Sequence, residues 1–362
     1  MLALAPETKQ PAASAHAMIA CEPVSSPMDT DRVDAVTVQA PGRLHLGFLD
    51  PSGSLGRSFG SLGLVLEGFE TVVALKGASH DAVTADSAAA RLETGRAQGF
   101  LDTLRRRSGR HDALHLRLQQ VLPAHAGFGS GTQLALAVGH AFARWHGLAL
   151  SSATLANWLG RGARSGIGIA GFDQGGLLVE GGPGAEGAPA PLLARIELPE
   201  AWRVVVVQDE NSMLPGLSGS AEKAAIATLP ALPRGAAADI CHQVLMRVLP
   251  GAACADFAAF AAGVTHMQRL LGAHFAAAQG GSPYTSAAVG QLVRWLGTAA
   301  EGEAAIGQSS WGPTGFAILP SQARAETLVR AAHAAGQVGV SLNVRIVPAR
   351  SRGGSIVGAG RR

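Results

Sequence analysis

The chain has 362 residues, 47% of them hydrophobic and 15% charged, with a formal net charge of +3. That is enough apolar material for two cores and excludes global disorder. The positive excess is small, aromatics are 5%, and Arg105-Arg106-Arg107 is the longest basic run, which argues against a nucleic-acid surface and points to anionic small molecules.

Cys21, Cys241 and Cys254 have no metal-like spacing and read as free thiols in a reducing compartment, the last two as core residues. No apolar run reaches membrane-spanning length and no secretion signal opens the chain, so a soluble cytoplasmic protein is expected, with no membrane partner. Residues 1–34 read as a disordered tail, with Met18 and Met28 as alternative starts. Order begins at Val36-Thr37-Val38, followed by Pro41-Gly42-Arg43-Leu44-His45-Leu46-Gly47-Phe48. Arg43 and His45 alternate with Leu44 and Leu46 and so share the opposite face of a strand. With Arg57 they form a candidate phosphate or carboxylate site; the alternative is a solvated strand face for Arg43 and a half-buried histidine for His45. Strands follow at Leu62–Val65, Thr71–Leu75 and Leu114–Leu118, with a helix over 88–107.

Residues 120–138 carry the strongest signal. Gly127-Phe128-Gly129-Ser130-Gly131-Thr132 runs into an apolar helix over 131–146, whose Leu134, Val138, Phe142 and Trp145 share one face. Free amides at a helix start, wrapped by glycines, make an anion site. No Gly-Lys-Ser/Thr follows, so this is no Walker A loop, and the glycine spacing is not that of a dinucleotide fingerprint. An ordinary glycine-rich helix cap is the alternative.

Arg161 and Arg164 precede a second glycine-rich block, 165–176, which leads into a strand at Leu177–Glu180. Asp173 stands in that block as a Mg²⁺ ligand, a base or a turn cap. A loop over 182–191 precedes a domain boundary near 190–200. Trp202–Val207 reads as a buried strand, followed by Asp209 and Glu210, which are equally site or surface. Helices are expected at 219–228, where Glu222 complements the helix dipole beside Lys223, and at 236–249, 253–278, 284–300 and 322–336. Strands are expected at 315–319 and 340–347. Between them, Gly307–Phe316, with Ser309, Ser310 and Trp311, is either a loop that closes over a ligand or a turn anchored by Trp311. Residues 349–362 read as a basic, frayed tail.

These blocks occur in the order of the GHMP kinase superfamily: PGRLHLGFLD resembles its first motif, GFGSGTQLALA its phosphate loop and QSSWGPTGF its third motif. Within it, HAGFGSGTQLALAVG, RSGIGIAGFDQGG and GQSSWGPTGF are similar to the β-ribofuranosylaminobenzene 5′-phosphate synthases, over roughly residues 36–348. The resemblance implies an α+β fold of two domains, 35–195 like ribosomal protein S5 domain 2 and 196–348 ferredoxin-like. It implies a homodimer that uses Mg²⁺ and condenses 4-aminobenzoate with phosphoribosyl pyrophosphate. The products are the β-riboside 5′-phosphate, CO₂ and pyrophosphate, an early step of tetrahydromethanopterin synthesis. On that reading Asp173 and His45 are catalytic, and Ser130 and Asp173 hold Mg²⁺. Arg43, Arg57, Gly127, Gly129, Ser130, Gly131, Thr132, Arg161, Arg164, Gln174, Ser309, Ser310 and Trp311 bind substrate. The Asp173-Gln174 pair is kept from the Gly-x-x-Asp-Gln segment whose Asp is the base in sugar-kinase relatives. Departures weaken an ATP-kinase reading: Gly-Ser-Gly-Thr replaces Gly-Ser-Ser-Ala, and the third motif carries Trp311 and Pro313. An ATP-dependent small-molecule kinase is the competing reading, and a catalytically silent ligand sensor a third.

Overall fold

The alternation that begins at Val36 continues much further than three residues. Strand β1 (Ala35–Asp50) pairs antiparallel with β2 (Phe59–Gly77) along almost its whole length. The register shifts between Pro41 and Arg43 and again between His45 and Gly47; Pro41 has no N–H for the ladder, and a bulge absorbs the loss. The two strands expected at 62–65 and 71–75 are one, because β2 bends and serves two neighbours. Its first half pairs with β5 (Leu177–Glu180) and its second with β4 (Leu114–Gln120). Short β3 (Ala82–Ala85), unseen in the sequence, adds to β4 in parallel, and β6 (Leu192–Ile196) adds to β5.

The computed structural model describes residues 35–184, 189–211 and 229–358; the expected N-terminal tail, Cys21, the helix at 219–228, Glu222 and Lys223 lie outside them. Asp34–Arg362 forms one compact unit. The helix expected over 88–107 is divided into α1 (Ala88–Leu92), capped by Ser87, and α2 (Thr94–Ser108), with Glu93 between them outside both helices. Helix α3 (Ser130–Trp145) buries the face that carries Leu134, Val138, Phe142 and Trp145 against the sheet, as expected. Helix α4 (Ser152–Trp158) follows. The glycine block is not a loop: α5 (Ile167–Gln174) occupies it. Burial of Ile167 and Phe172, and the bond from Gln133 Nε2 to the Gly168 carbonyl (2.8 Å), outweigh the poor helix propensity of glycine there.

The C-terminal half builds β7 (Arg203–Asp209), α6 (Arg234–Gln243), α7 (Leu249–Ala253), α8 (Phe257–Phe275), α9 (Ala287–Ala299), β8 (Ala305–Gln308), β9 (Thr314–Leu319), α10 (Gln322–Ala334) and β10 (Leu342–Val347). Its sheet order, β10-β7-β9-β8, is that of a ferredoxin-like βαββαβ unit. A π-turn, Val244–Val248, interrupts the helix expected over 236–249. The tail is not frayed to its end. Arg350 is buried and pairs with Glu67 (3.1 Å) and Glu70 (3.0 Å), and β11 (Ser355–Val357) extends the first sheet beside β1. An isolated buried arginine would be costly, and two carboxylates offset it. Cys254 is exposed and Cys241 half-buried, so neither is the core residue that its apolar neighbours suggest. Among the described residues no helix is long and apolar enough to cross a membrane.

Candidate functional site

The phosphate loop is held open by its neighbours. Gly129 caps α3 at φ +74°, a conformation that a β-carbon disfavours. Arg43, from the bulge in β1, donates through its backbone N–H to the Phe128 carbonyl (3.2 Å) and through Nη1 to the Gly127 carbonyl (2.8 Å). Phe128 is buried and stacks on Phe69. The third motif closes from the other side. The Ser309 hydroxyl donates to the Gly127 carbonyl (2.7 Å) and accepts from the backbone N–H of His45 (2.9 Å). One buried hydroxyl thus ties all three motifs together.

These loops surround a cleft of about 570 Å³. Four arginines line it: Arg43, Arg96, Arg161 and Arg164, with Gly127, Gly129, Ser130, Gly131 and Thr132 as its floor. Arg96 and Arg161 converge on the first turn of α3, where a β-carbon on Gly131 would lie 3.5 and 3.3 Å from their guanidinium nitrogens. Arg161 lies over the Phe100 ring at 5.5 Å, and burial, with Arg96 beside it, lowers its pKa. Arg96 pairs with Glu93 at 3.1 Å. Clustered guanidinium groups at the positive end of a helix dipole favour a polyanion strongly. Two lining residues, His125 and Ser310, have positive φ without being glycine, a strain often stored at binding sites.

The lining also carries two aromatic rings without charge. His45 and Trp311 are buried, and neither the His45 ring nitrogens nor Trp311 Nε1 bond another residue. Burial first, then repulsion from Arg43 and Arg164, lowers the His45 pKa to about 3, so the imidazole is neutral at physiological pH.

Eleven of the residues read from the sequence meet here: Arg43, His45, Gly127, Gly129, Ser130, Gly131, Thr132, Arg161, Arg164, Ser310 and Trp311. Four do not line the cleft. Asp173 lies at the far end of α5, about 9 Å along the helix from its start at Ile167. Its carboxylate accepts a bond from the Ser152 hydroxyl, which also bonds His140 Nε2 (2.7 Å). Gln174, next to it, is solvent-exposed. Arg57 turns outward and donates to the Gly182 carbonyl (3.1 Å), because Asp50 folds the preceding turn back by accepting from Leu55 N–H and the Ser54 hydroxyl. Ser309 is the buried clamp described above. Asp209 accepts from Ser286 (2.7 Å) and Glu210 from Asn343 (2.9 Å), both away from the cleft. Arg96, His125 and Phe48 line the cleft and were not foreseen; only the pairing of Glu93 with Arg96 three residues on was legible, and it reads as a surface pair.

The lining does not fit a protein-held Mg²⁺. That ion takes oxygen ligands, usually with one or two carboxylates. Ser130 offers a hydroxyl, but among the described residues no carboxylate lines the cleft, and Asp173 is elsewhere. Among the described residues no group of three His, Cys, Asp or Glu is placed to hold a metal.

Residues 96–177 match the GHMP kinases N terminal domain and 252–338 the GHMP kinases C terminal domain. Solved structures share the fold: mevalonate diphosphate decarboxylase from Staphylococcus aureus (TM-score 0.62, 13% identity, 90% of this chain and 98% of that one) and homoserine kinase from Cytophaga hutchinsonii (0.59, 15%, 90% and 98%). Among curated proteins, the β-ribofuranosylphenol 5′-phosphate synthase of Archaeoglobus fulgidus is 32% identical over 307 residues, 79% of this chain and 88% of its own. That of Methanothermobacter thermautotrophicus is 31% identical over 247 residues, 64% and 74%. The chain belongs to the β-ribofuranosylphenol 5′-phosphate synthase family of the GHMP kinase superfamily.

Proposed function

We propose that the protein joins phosphoribosyl pyrophosphate to a benzoate bearing an electron-donating para group, 4-aminobenzoate or its hydroxyl counterpart, with loss of CO₂ and pyrophosphate. The observation that carries this reading is the mixed lining of the cleft: four arginines and a helix start together with a neutral imidazole and an indole. The pyrophosphate and 5′-phosphate are polyanions of the kind that clustered arginines and a helix start favour. The aromatic ring matches Phe48, His45 and Trp311.

The reaction balances without a base. The ring carbon bearing the carboxylate supplies the pair for the new bond to ribose C1, while the C1–O bond breaks and its pair leaves with pyrophosphate. The para group stabilises the resulting ring cation. The pair of the carboxylate's C–C bond then returns to the ring as CO₂ departs. Preorganised guanidinium groups stabilise the charge that grows on the leaving group. Mg²⁺ enters only as the counter-ion that the pyrophosphate brings with it.

The test is release of labelled CO₂ from each carboxyl-labelled acceptor with phosphoribosyl pyrophosphate and Mg²⁺, in the absence of ATP. Release dependent on both substrates is expected. Its absence, with ATP turnover on a polyol instead, would establish the kinase.

A further inference from the structure

Beside the cleft lies a recess of about 30 Å³, which shares His45, Phe48, Ser310 and Trp311 with it. That volume admits a group of one or two heavy atoms, not a ring. On the proposed function the carboxylate-bearing carbon must face ribose C1, whose pyrophosphate lies on the arginines. A ring held between Phe48 and Trp311 therefore points its para substituent into the recess. Among the described residues no charged residue lines it; Leu271 and Phe275 do, with Gln268, Gln279 and Gln308.

The orientations of these amides follow from a backbone group whose polarity is certain. The Thr285 N–H donates to Gln308 (2.7 Å), so the atom facing it is Gln308 Oε1. Gln308 Nε2 then donates to the Ser310 carbonyl and to Gln279 Oε1, both at 2.9 Å. Gln268 is spent on the Leu46 carbonyl and the Gln308 N–H. Gln279 is left with its oxygen engaged and its NH₂ uncommitted. Gln279 is half-buried; the Trp311 N–H is buried without a partner, and such a group is unfavourable until something accepts from it. The neutral His45 ring offers one donor and one acceptor.

We propose that Gln279, whose oxygen is held by Gln308 and whose NH₂ is left to donate, is the specificity-determining residue for the acceptor's para substituent, and that it favours an oxygen there. A phenolic oxygen accepts from Gln279 or Trp311 and donates to His45. An aryl amine donates but accepts poorly, because its lone pair is delocalised into the ring, and it leaves the donors unpaired.

The experiment compares kcat/KM for 4-hydroxybenzoate and 4-aminobenzoate in the wild-type protein, Gln279→Glu and Gln279→Leu. Glu keeps the shape and still accepts from Gln308, but presents an oxygen in place of the NH₂. The hydroxyl-to-amine ratio should fall roughly tenfold or more in Gln279→Glu, with KM for phosphoribosyl pyrophosphate unchanged. Gln279→Leu should lower turnover of the hydroxyl acceptor without raising that of the amine. An unchanged ratio in both variants, or wild-type turnover of the amine alone, overturns the assignment while the synthase reading stands. Turnover of neither acceptor by the folded wild-type protein overturns both.

Discussion

Gly312 is where the third motif meets the phosphate loop, and the coordinates give the size of the effect of adding one methyl group there. A β-carbon at 312 would lie 2.5 Å from the Ala126 carbonyl carbon and the Gly127 nitrogen, and 2.7 Å from the Ala126 oxygen. Carbon contacts settle near 3.5 Å, so the two segments must separate by about 1 Å. Nothing nearby rotates out of the way, since all three atoms are backbone. The Ser309 hydroxyl transmits the movement to the Gly127 carbonyl, and the Thr285 hydroxyl holds the Gly312 carbonyl (3.0 Å) on the recess side. Gly312→Ala should therefore lower kcat/KM on the order of 10²-fold, the cost of a misplacement of about 1 Å, and lower stability by about 1–3 kcal/mol. Labelled CO₂ release and denaturant melts measure the two effects. Gly235→Ala in α6 is the control. Nothing lies within 4 Å of its β-carbon, so it should be neutral or stabilising by up to about 1 kcal/mol. Turnover of Gly312→Ala within about threefold of wild type would show that the loops do not act as one rigid cradle.

Two further outcomes follow from where the titratable groups lie. Asp173→Asn keeps an oxygen for the Ser152 hydroxyl and should leave turnover within about threefold of wild type; a loss of 10²-fold or more, the scale of a general base, would put Asp173 into the chemistry after all. His45, with its pKa lowered to about 3, is neutral in the folded protein at a pH where the unfolded chain, near 6.5, takes up a proton. Its contribution to stability is thus complete above about pH 6.5 and declines as pH falls, by up to about 1.4 kcal/mol per pH unit. Denaturant melts at pH 6.5 and 5 should show that much less slope in His45→Asn than in wild type; equal slopes would mean that the imidazole is not held neutral by burial.

The parts of the site that the sequence reveals are those set by short periods. Period-two alternation put Arg43 and His45 on one face, and glycines opening an apolar helix marked Gly127–Thr132. The failures are of a different kind. Asp173 shares a glycine-rich segment with residues near the cleft, but α5 forms there and carries it away along the helix axis. Arg96 sits inside a stretch that reads as one amphipathic helix, and it reaches the cleft only because the chain breaks at Glu93 and α2 packs on α3. Gln279 follows the end of α8 in an Ala-rich run. The role proposed for it depends on a hydrogen-bond chain through Gln308 to Thr285, a long-range arrangement with no local signature.

The chemistry explains why a kinase-like scaffold could manage without the base that sugar-kinase relatives place in their Gly-x-x-Asp-Gln segment. A kinase must take a proton from its acceptor hydroxyl as the phosphoryl group arrives. The proposed carbon–carbon condensation removes no proton: the electron pair released by CO₂ restores the ring. What such a site needs is dense positive charge around the leaving group, and a weakly solvated, uncharged neighbourhood where the carboxylate becomes CO₂. The four guanidinium groups meet the first need. His45, held neutral beside Phe48 and Trp311, adds no further cation to stabilise the carboxylate and oppose its loss. The low His45 pKa, set first by burial and then by Arg43 and Arg164, keeps that ring from adding a charge to the site.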